Sequence, residues 1–231
     1  MKRFKNPFKE LTKFELTLWI CSVIVVTASF LIPENKDYLT LITSLIGVTA
    51  LIFVSKGMVI GQLLCVVFAV FYGIISFAFK YYGEMLTYML MSTPMAIAAV
   101  ISWVKNPYKG SSEVKVSRLN KKTIAMVFAL SIVVTVVFYF ILKYFNTENL
   151  IVSTVSVTTS FIAASFTYLR SPYYALAYGC NDVILIVLWV LAAIDDISYL
   201  PMIFCFIMFL ANDLYGFINW RRMEKRQKEK A

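Results

Sequence analysis

Eight apolar runs, most of them close to 20 residues long, alternate with short polar segments along this 231-residue chain. They cover residues 14–32, 38–54, 58–79, 85–104, 123–145 and 150–169, then a pair between Pro172 and Trp220 that turns at Asp195-Asp196. About 20 apolar residues in a helix cross a hydrocarbon core about 30 Å thick. The pattern therefore predicts an all-α integral membrane protein of eight transmembrane helices. Pro33, Ser55-Lys56-Gly57, Asn146–Asn149 and Arg170-Ser171-Pro172 punctuate the runs. Pro94 falls inside the fourth, where a missing N–H frees a carbonyl and favours a kink. Residues 105–122 form the longest polar segment and read as a cytoplasmic linker, and 1–13 and 221–231 read as cytoplasmic tails.

The runs hold a weak internal repeat. Thr43-Ser44 meets Thr159-Ser160 and Ser55 meets Ser171 at one offset; Met85, Met91, Ile101 and Trp103 meet Met202, Met208, Ile218 and Trp220 at an offset one residue longer. Spans two to four (38–104) thus correspond to spans six to eight (150–220). A period of four spans gives two halves of parallel orientation. The run at 123–145 is the connecting helix and 14–32 an extra N-terminal span. This 3+1+3 arrangement of parallel repeats is a transporter architecture, with a site expected near mid-membrane between the halves.

Composition sharpens the picture. The chain is 60% hydrophobic and 15% charged, where a soluble domain is about a quarter charged. The net charge of +9 is segregated: 19 of the 22 Lys and Arg precede the first span or lie at Lys56, in the linker, at Arg170 and in the last tail. The positive-inside rule then places both termini in the cytoplasm. The basic excess is a topology signal and not a nucleic-acid footprint. The first run ends at Leu31-Ile32-Pro33 without a small-residue cleavage pattern, which argues against a cleavable signal peptide. Cys21, Cys65, Cys180 and Cys205 lie in apolar runs without metal spacing and read as small buried residues; no metal or cofactor is implied. The chain has no His, which removes the commonest general base, and a membrane enzyme built on an Asp pair alone would lack a nucleophile or metal.

The candidate chemistry sits on the last two runs. Tyr178-Gly179-Cys180-Asn181-Asp182 and Asn212-Asp213-Leu214-Tyr215-Gly216 carry the same residue types in mirrored order. In antiparallel helices both Asn-Asp pairs fall roughly 12–14 Å in from one face, at about 1.5 Å per residue. Polar and ionisable groups at that depth usually line a cavity or pathway. Tyr174, Tyr178 and Asn181 share one helical face at i, i+4, i+7. Trp189 on the same span, Tyr215 on the last, and Gln62, Tyr72 and Tyr88 in the first half are the further candidates. Aromatic faces stack on flat or cationic rings, Asn and Gln match amide edges, and Asp accepts from sugar hydroxyls. The expected ligand is a nucleoside-like small molecule. A proton carrier, if the process uses one, would be Asp182 or Asp213. Trp103 and Trp220, close to span ends, read as interfacial belt residues.

The chain resembles the PnuC family of bacterial vitamin transporters over about residues 38–222. The resemblance rests on the Thr43-Ser44 pair, the Lys56-Gly57 turn, Lys80-Tyr81-Tyr82-Gly83-Glu84 and Tyr215-Gly216-Phe217-Ile218-Asn219-Trp220. It implies two three-helix bundles joined by a linking helix, related to the SWEET sugar transporters. It also implies import of nicotinamide riboside, a precursor of NAD biosynthesis, by facilitated diffusion with alternating access, the substrate being trapped by a cytoplasmic kinase. The family's Trp-x-x-Trp-x-x-x-Asn motif falls here on Tyr174, Ala177 and Asn181: the Asn is kept and both Trp are replaced. That departure leaves a deoxynucleoside, or another vitamin such as thiamine, as the alternative cargo. The sequence leaves the assembly open, a homo-oligomer included.

Overall fold

The computed structural model describes residues 6–34, 36–79 and 81–229. Asn35, Lys80 and the ends of both tails lie outside the described residues. Among those described, eight helical segments are long and apolar enough to cross a membrane, as the runs predict. Helix α1 (Lys13–Phe30) begins at a capping box in which Thr12 and Glu15 exchange hydrogen bonds. It is followed by α2 (Tyr38–Ser55) and α3 (Val59–Ala78). The fourth span is composite: α4 (Tyr82–Thr87), a π-helical turn (Tyr88–Ser92) and α5 (Thr93–Lys105). Pro94 opens α5 directly after the π turn, where the widened ladder accommodates its missing N–H. Then come α6 (Lys121–Tyr144), α7 (Leu150–Tyr168), α8 (Tyr173–Asp195) and α9 (Leu200–Glu229).

The packing has a two-fold logic. Helices α2, α3 and α4–α5 pack together, as do α7, α8 and α9. The units meet twice, α2 on α9 and α5 on α7, the first helix of each against the last of the other. The helix expected as connector, α6, packs on α7 and exposes Met126, Phe128, Ile132, Val133 and Val136 outward. Thr135 and Thr158 share a 2.6 Å hydroxyl bond across α6 and α7. The extra helix α1 packs on α9 and α2.

Two tryptophans tie the units together, and they correct the belt reading. Trp103 and Trp220 are both 0% exposed, with ring centroids 5.3 Å apart. Trp103 Nε1 donates to Thr167 O (2.9 Å) at the end of α7, and Trp220 Nε1 donates to Val54 O (2.9 Å) at the end of α2. Each indole thus caps the first helix of the opposite unit. They are buried because the 105–122 segment folds over this end. Val114 N donates to Gly57 O and Ser117 N to Arg170 O, both at 2.9 Å. The tail expected after Trp220 is helical and continues α9. Gln227 brackets the segment, accepting from Val116 N (2.9 Å) and donating to Val114 O (3.1 Å).

The two helix ends that receive the tryptophans share one geometry. Gly57 (φ 70°) closes α2, with Gly57 N donating to Val54 O and Met58 N to Phe53 O. Arg170 (φ 56°) closes α7, with Arg170 N donating to Thr167 O and Ser171 N to Phe166 O. Both are left-handed helix caps. Gly57 therefore corresponds to Arg170, and Ser55 does not correspond to Ser171 as the sequence repeat suggested. The cysteines also differ from expectation: Cys205 is buried, Cys65 intermediate, and Cys21 and Cys180 exposed on the bundle surface. An apolar run in a membrane protein fixes an apolar surrounding, and lipid supplies it as well as protein does.

Candidate functional site

Between the two units lies a cavity of about 80 Å³, smaller than the roughly 300–1,000 Å³ usual for open small-molecule sites. Of the expected residues, Gln62, Tyr88, Tyr174, Tyr178, Asn181, Asp182 and Asp213 line it. They come from α3, the π turn, α8 and α9, so both units contribute.

Asn181 is held from behind. Thr159 Oγ1 (2.8 Å) and Ser160 Oγ (3.0 Å) of α7 both donate to its carbonyl oxygen. Two hydroxyls on the oxygen fix the amide orientation and leave the NH2 half for a ligand acceptor. Tyr174 and Tyr178 stand one turn apart with centroids 6.3 Å apart and ring planes at 74°. Tyr174 also packs edge-on to Trp220 (4.8 Å), and its hydroxyl has no hydrogen-bond partner among the described residues. The tryptophan clasp and the cavity thus share a wall. Ala177, at the second position of the motif, lines a separate apolar groove with Ile124 and Phe128 of α6. The cavity-facing aromatic is Tyr178, one residue on.

Asp182 on α8 and Asp213 on α9 both line this cavity. Each residue is 3% exposed, and Asp182 Oδ2 has no hydrogen-bond partner among the described residues. Opposite them, Phe68 stacks on Tyr72 (5.5 Å, 26°) and makes an edge contact with Tyr88 (6.3 Å).

Four expected residues lie elsewhere. Asn212, next to Asp213, points away to α1, where its Nδ2 donates to Ser22 Oγ (3.1 Å) and to Met208 O (2.7 Å). Tyr215 donates to Glu15 Oε1 (2.7 Å) on the same helix. Glu15 is 1% exposed and also pairs with Lys56 at 3.0 Å, so the α1 interface has its own polar knot. Tyr72 is wholly buried behind Tyr88 at a centroid distance of 4.2 Å and accepts from Trp189 Nε1 (3.0 Å). Trp189 belongs to an aromatic cluster with Tyr81 and Tyr199 near the α8–α9 turn. At that edge Tyr81, outside the spans, has its hydroxyl pushed up to about 12, chiefly by burial.

The sequence reading missed Cys65, Ser92, Ser160, Phe206 and Phe209 as lining residues. A signal for Ser160 was the richness of its span in Ser and Thr. The others are apolar or small residues of ordinary helix-packing type, without a chemical mark.

The chain matches a family described as "Nicotinamide mononucleotide transporter" over residues 37–222. It is 26% identical over 220 residues to a nicotinamide riboside transporter PnuC of Neisseria mucosa, covering 93% of this chain and 83% of that one. It is 22% identical over 227 residues to a protein of the same description from Haemophilus influenzae, covering 97% of each. A solved structure, "Crystal structure of the Vitamin B3 transporter PnuC", superposes with a TM-score of 0.83 at 26% identity over 94% of both chains.

Proposed function

Because the chain belongs to the nicotinamide mononucleotide transporter family, the PnuC family that the sequence resembles, and is thereby a multi-pass membrane transporter and not an enzyme, we propose that its cargo is nicotinamide riboside. The observation that carries this reading is the Asn181 amide, locked by Thr159 and Ser160 between two tyrosines and a carboxyl pair. Its NH2 matches the carboxamide oxygen of the ligand. Tyr174 and Tyr178 offer aromatic faces to the pyridinium ring. Asp182 and Asp213 accept from the ribose hydroxyls or answer the ring's charge.

Transport is by facilitated diffusion, the cavity opening alternately to each side. The basic linker and both tails lie in the cytoplasm, where a kinase traps the product by phosphorylation. The sequence holds no GxxxxGK[ST] run for a nucleotide triphosphate, which fits this passive scheme. Uptake of labelled nicotinamide riboside into liposomes holding purified protein tests the reading. Accumulation to the external concentration supports it; uptake no faster than in protein-free liposomes overturns it. A second reading, a deoxynucleoside carrier, is favoured by one observation: Tyr174 and Ala177 stand where the family motif has indole, and Tyr174 with the neighbouring Tyr178 gives a smaller stacking face. A melting-temperature panel of nicotinamide riboside, thiamine and deoxynucleosides separates the two, since only a bound ligand stabilises.

A further inference from the structure

Helices α6 and α8 both pack on α7, and a trough of about 400 Å³ runs between them. Its walls follow from helical spacing. Tyr173, Ala177 and Cys180 stand at i, i+4 and i+7 on α8 and form one side. Ile124 and Phe128, i and i+4 on α6, form the other, and Thr159 of α7 lies in the floor. The Thr159 hydroxyl is turned to Val155 O, Ser156 O and Asn181 Oδ1, so the trough presents apolar surface alone. Alanine at 177 leaves it open; a large side chain there would fill it. Phe128, Tyr173 and Cys180 are exposed on the outside of the bundle, where a membrane span meets lipid tails and not water.

The shallow end of the trough carries charge. Lys121 and Lys122 open α6, and Lys121 lies three residues before Ile124 and seven before Phe128, on the trough side of the helix. On the α8 side, the Arg221 guanidinium lies 5.9 Å from the centre of the Tyr173 ring. Arg221 and Arg118 share one carboxylate, Glu224, at 2.7 and 2.9 Å. Glu224 is the only acid in residues 115–124, 168–180 and 217–226. Lys121 and Lys122 form no ion pair among the described residues. The rim therefore holds a surplus of positive charge above an apolar slot, which is the polarity of an anionic phospholipid with its tail inward.

We propose that the trough binds one phospholipid with an anionic headgroup: an acyl chain lies along residues 173–180, about 10 Å of helix, and the phosphate meets Lys121, Lys122 and Arg221. The chain packs on Thr159 and Ala177, the outer side of the same α7–α8 wall that holds Asn181 in the cavity. The lipid thus braces the site from the membrane side.

Native mass spectrometry and melting curves of the detergent-purified full chain test this, with phosphatidylglycerol and phosphatidylcholine of identical tails as probes. The expected result is a single phosphatidylglycerol retained per chain, and stabilisation by phosphatidylglycerol at roughly tenfold lower concentration than by phosphatidylcholine. The triple variant Lys121→Gln, Lys122→Gln, Arg221→Gln should lose that preference. Ala177→Phe should lose the retained lipid, because the ring fills the trough. Equal stabilisation by both lipids, or retention that survives Ala177→Phe, overturns the site. Stabilisation by glycerol phosphate, the headgroup without tails, also overturns it. So does a dimer mass that Ala177→Phe abolishes, since a second copy of the chain would then fill the trough. The comparison of the two lipids on the parent chain decides the matter even if Ala177→Phe does not fold.

Discussion

Replacing either clasp tryptophan by phenylalanine tests whether the two units are held as described. Trp220→Phe removes the 2.9 Å bond to Val54 O, and Trp103→Phe the matching bond to Thr167 O. Neither carbonyl becomes an orphan, because Gly57 N (2.8 Å) and Arg170 N (3.0 Å) still donate to them. The lost bond therefore costs about 1 kcal/mol and not the larger penalty of a stranded acceptor. The smaller ring leaves roughly 40 Å³ unfilled, which at about 24 cal/mol per Å³ adds about 1 kcal/mol. Each single variant should lose about 2 kcal/mol, or about 4–8 °C in melting temperature for a chain of this size. The rings touch, so the double variant should lose less than the sum, by roughly the 0.5–1.5 kcal/mol of an aromatic pair. A tryptophan anchoring at a lipid interface would behave as a surface position, within about 0.5 kcal/mol. Melting curves of detergent-purified protein distinguish the cases. Shifts under about 1 °C in both singles would refute the clasp.

Asn181→Ala should weaken ligand binding by roughly 5- to 150-fold, the worth of one buried hydrogen bond of about 1–3 kcal/mol; an unchanged dissociation constant by calorimetry removes Asn181 from the site. Asn212→Ala and Tyr215→Phe should leave that constant within about twofold while lowering the melting temperature, because both residues serve the α1 interface; a tenfold loss of affinity would return them to the site. Gly57→Ala should cost about 1–2 kcal/mol in a melting assay, since φ is 70° and the new Cβ would stand 2.7 Å from Met223 Cε; no shift would mean that the turn relaxes freely.

Much of the architecture was legible because a bilayer reads sequence at low resolution. A run of about 20 apolar residues has few other uses, and short loops with segregated charge leave little freedom in how the spans are threaded. What failed was azimuth and cover. Asn212 and Asp213 are neighbours, so their side chains point about 100° apart on a helix. Only one of them faces the cavity, and nothing local in the sequence says which. The choice is made by α1, whose Ser22 claims Asn212. Trp103 and Trp220 sit at span ends, where indoles commonly meet lipid headgroups, but the folded 105–122 segment covers them. Gln62, only four residues into its span, reaches the cavity at the same covered end.

The π turn at Tyr88–Ser92 makes the two units mechanically unequal. It stores one residue more than an α-helical turn would use, and the third span of the second unit, α9, is an unbroken helix of 30 residues with no such slack. Moving the extra residue one position along the span would turn the residue it passes by about 100° and leave the two halves in the same relation, with a similar number of backbone bonds kept. Tyr88 and Ser92, which line the cavity, sit on that turn. The first unit therefore has a wall where single side chains can change register, and the second a wall of regular helix that carries Asn181 and both carboxyls.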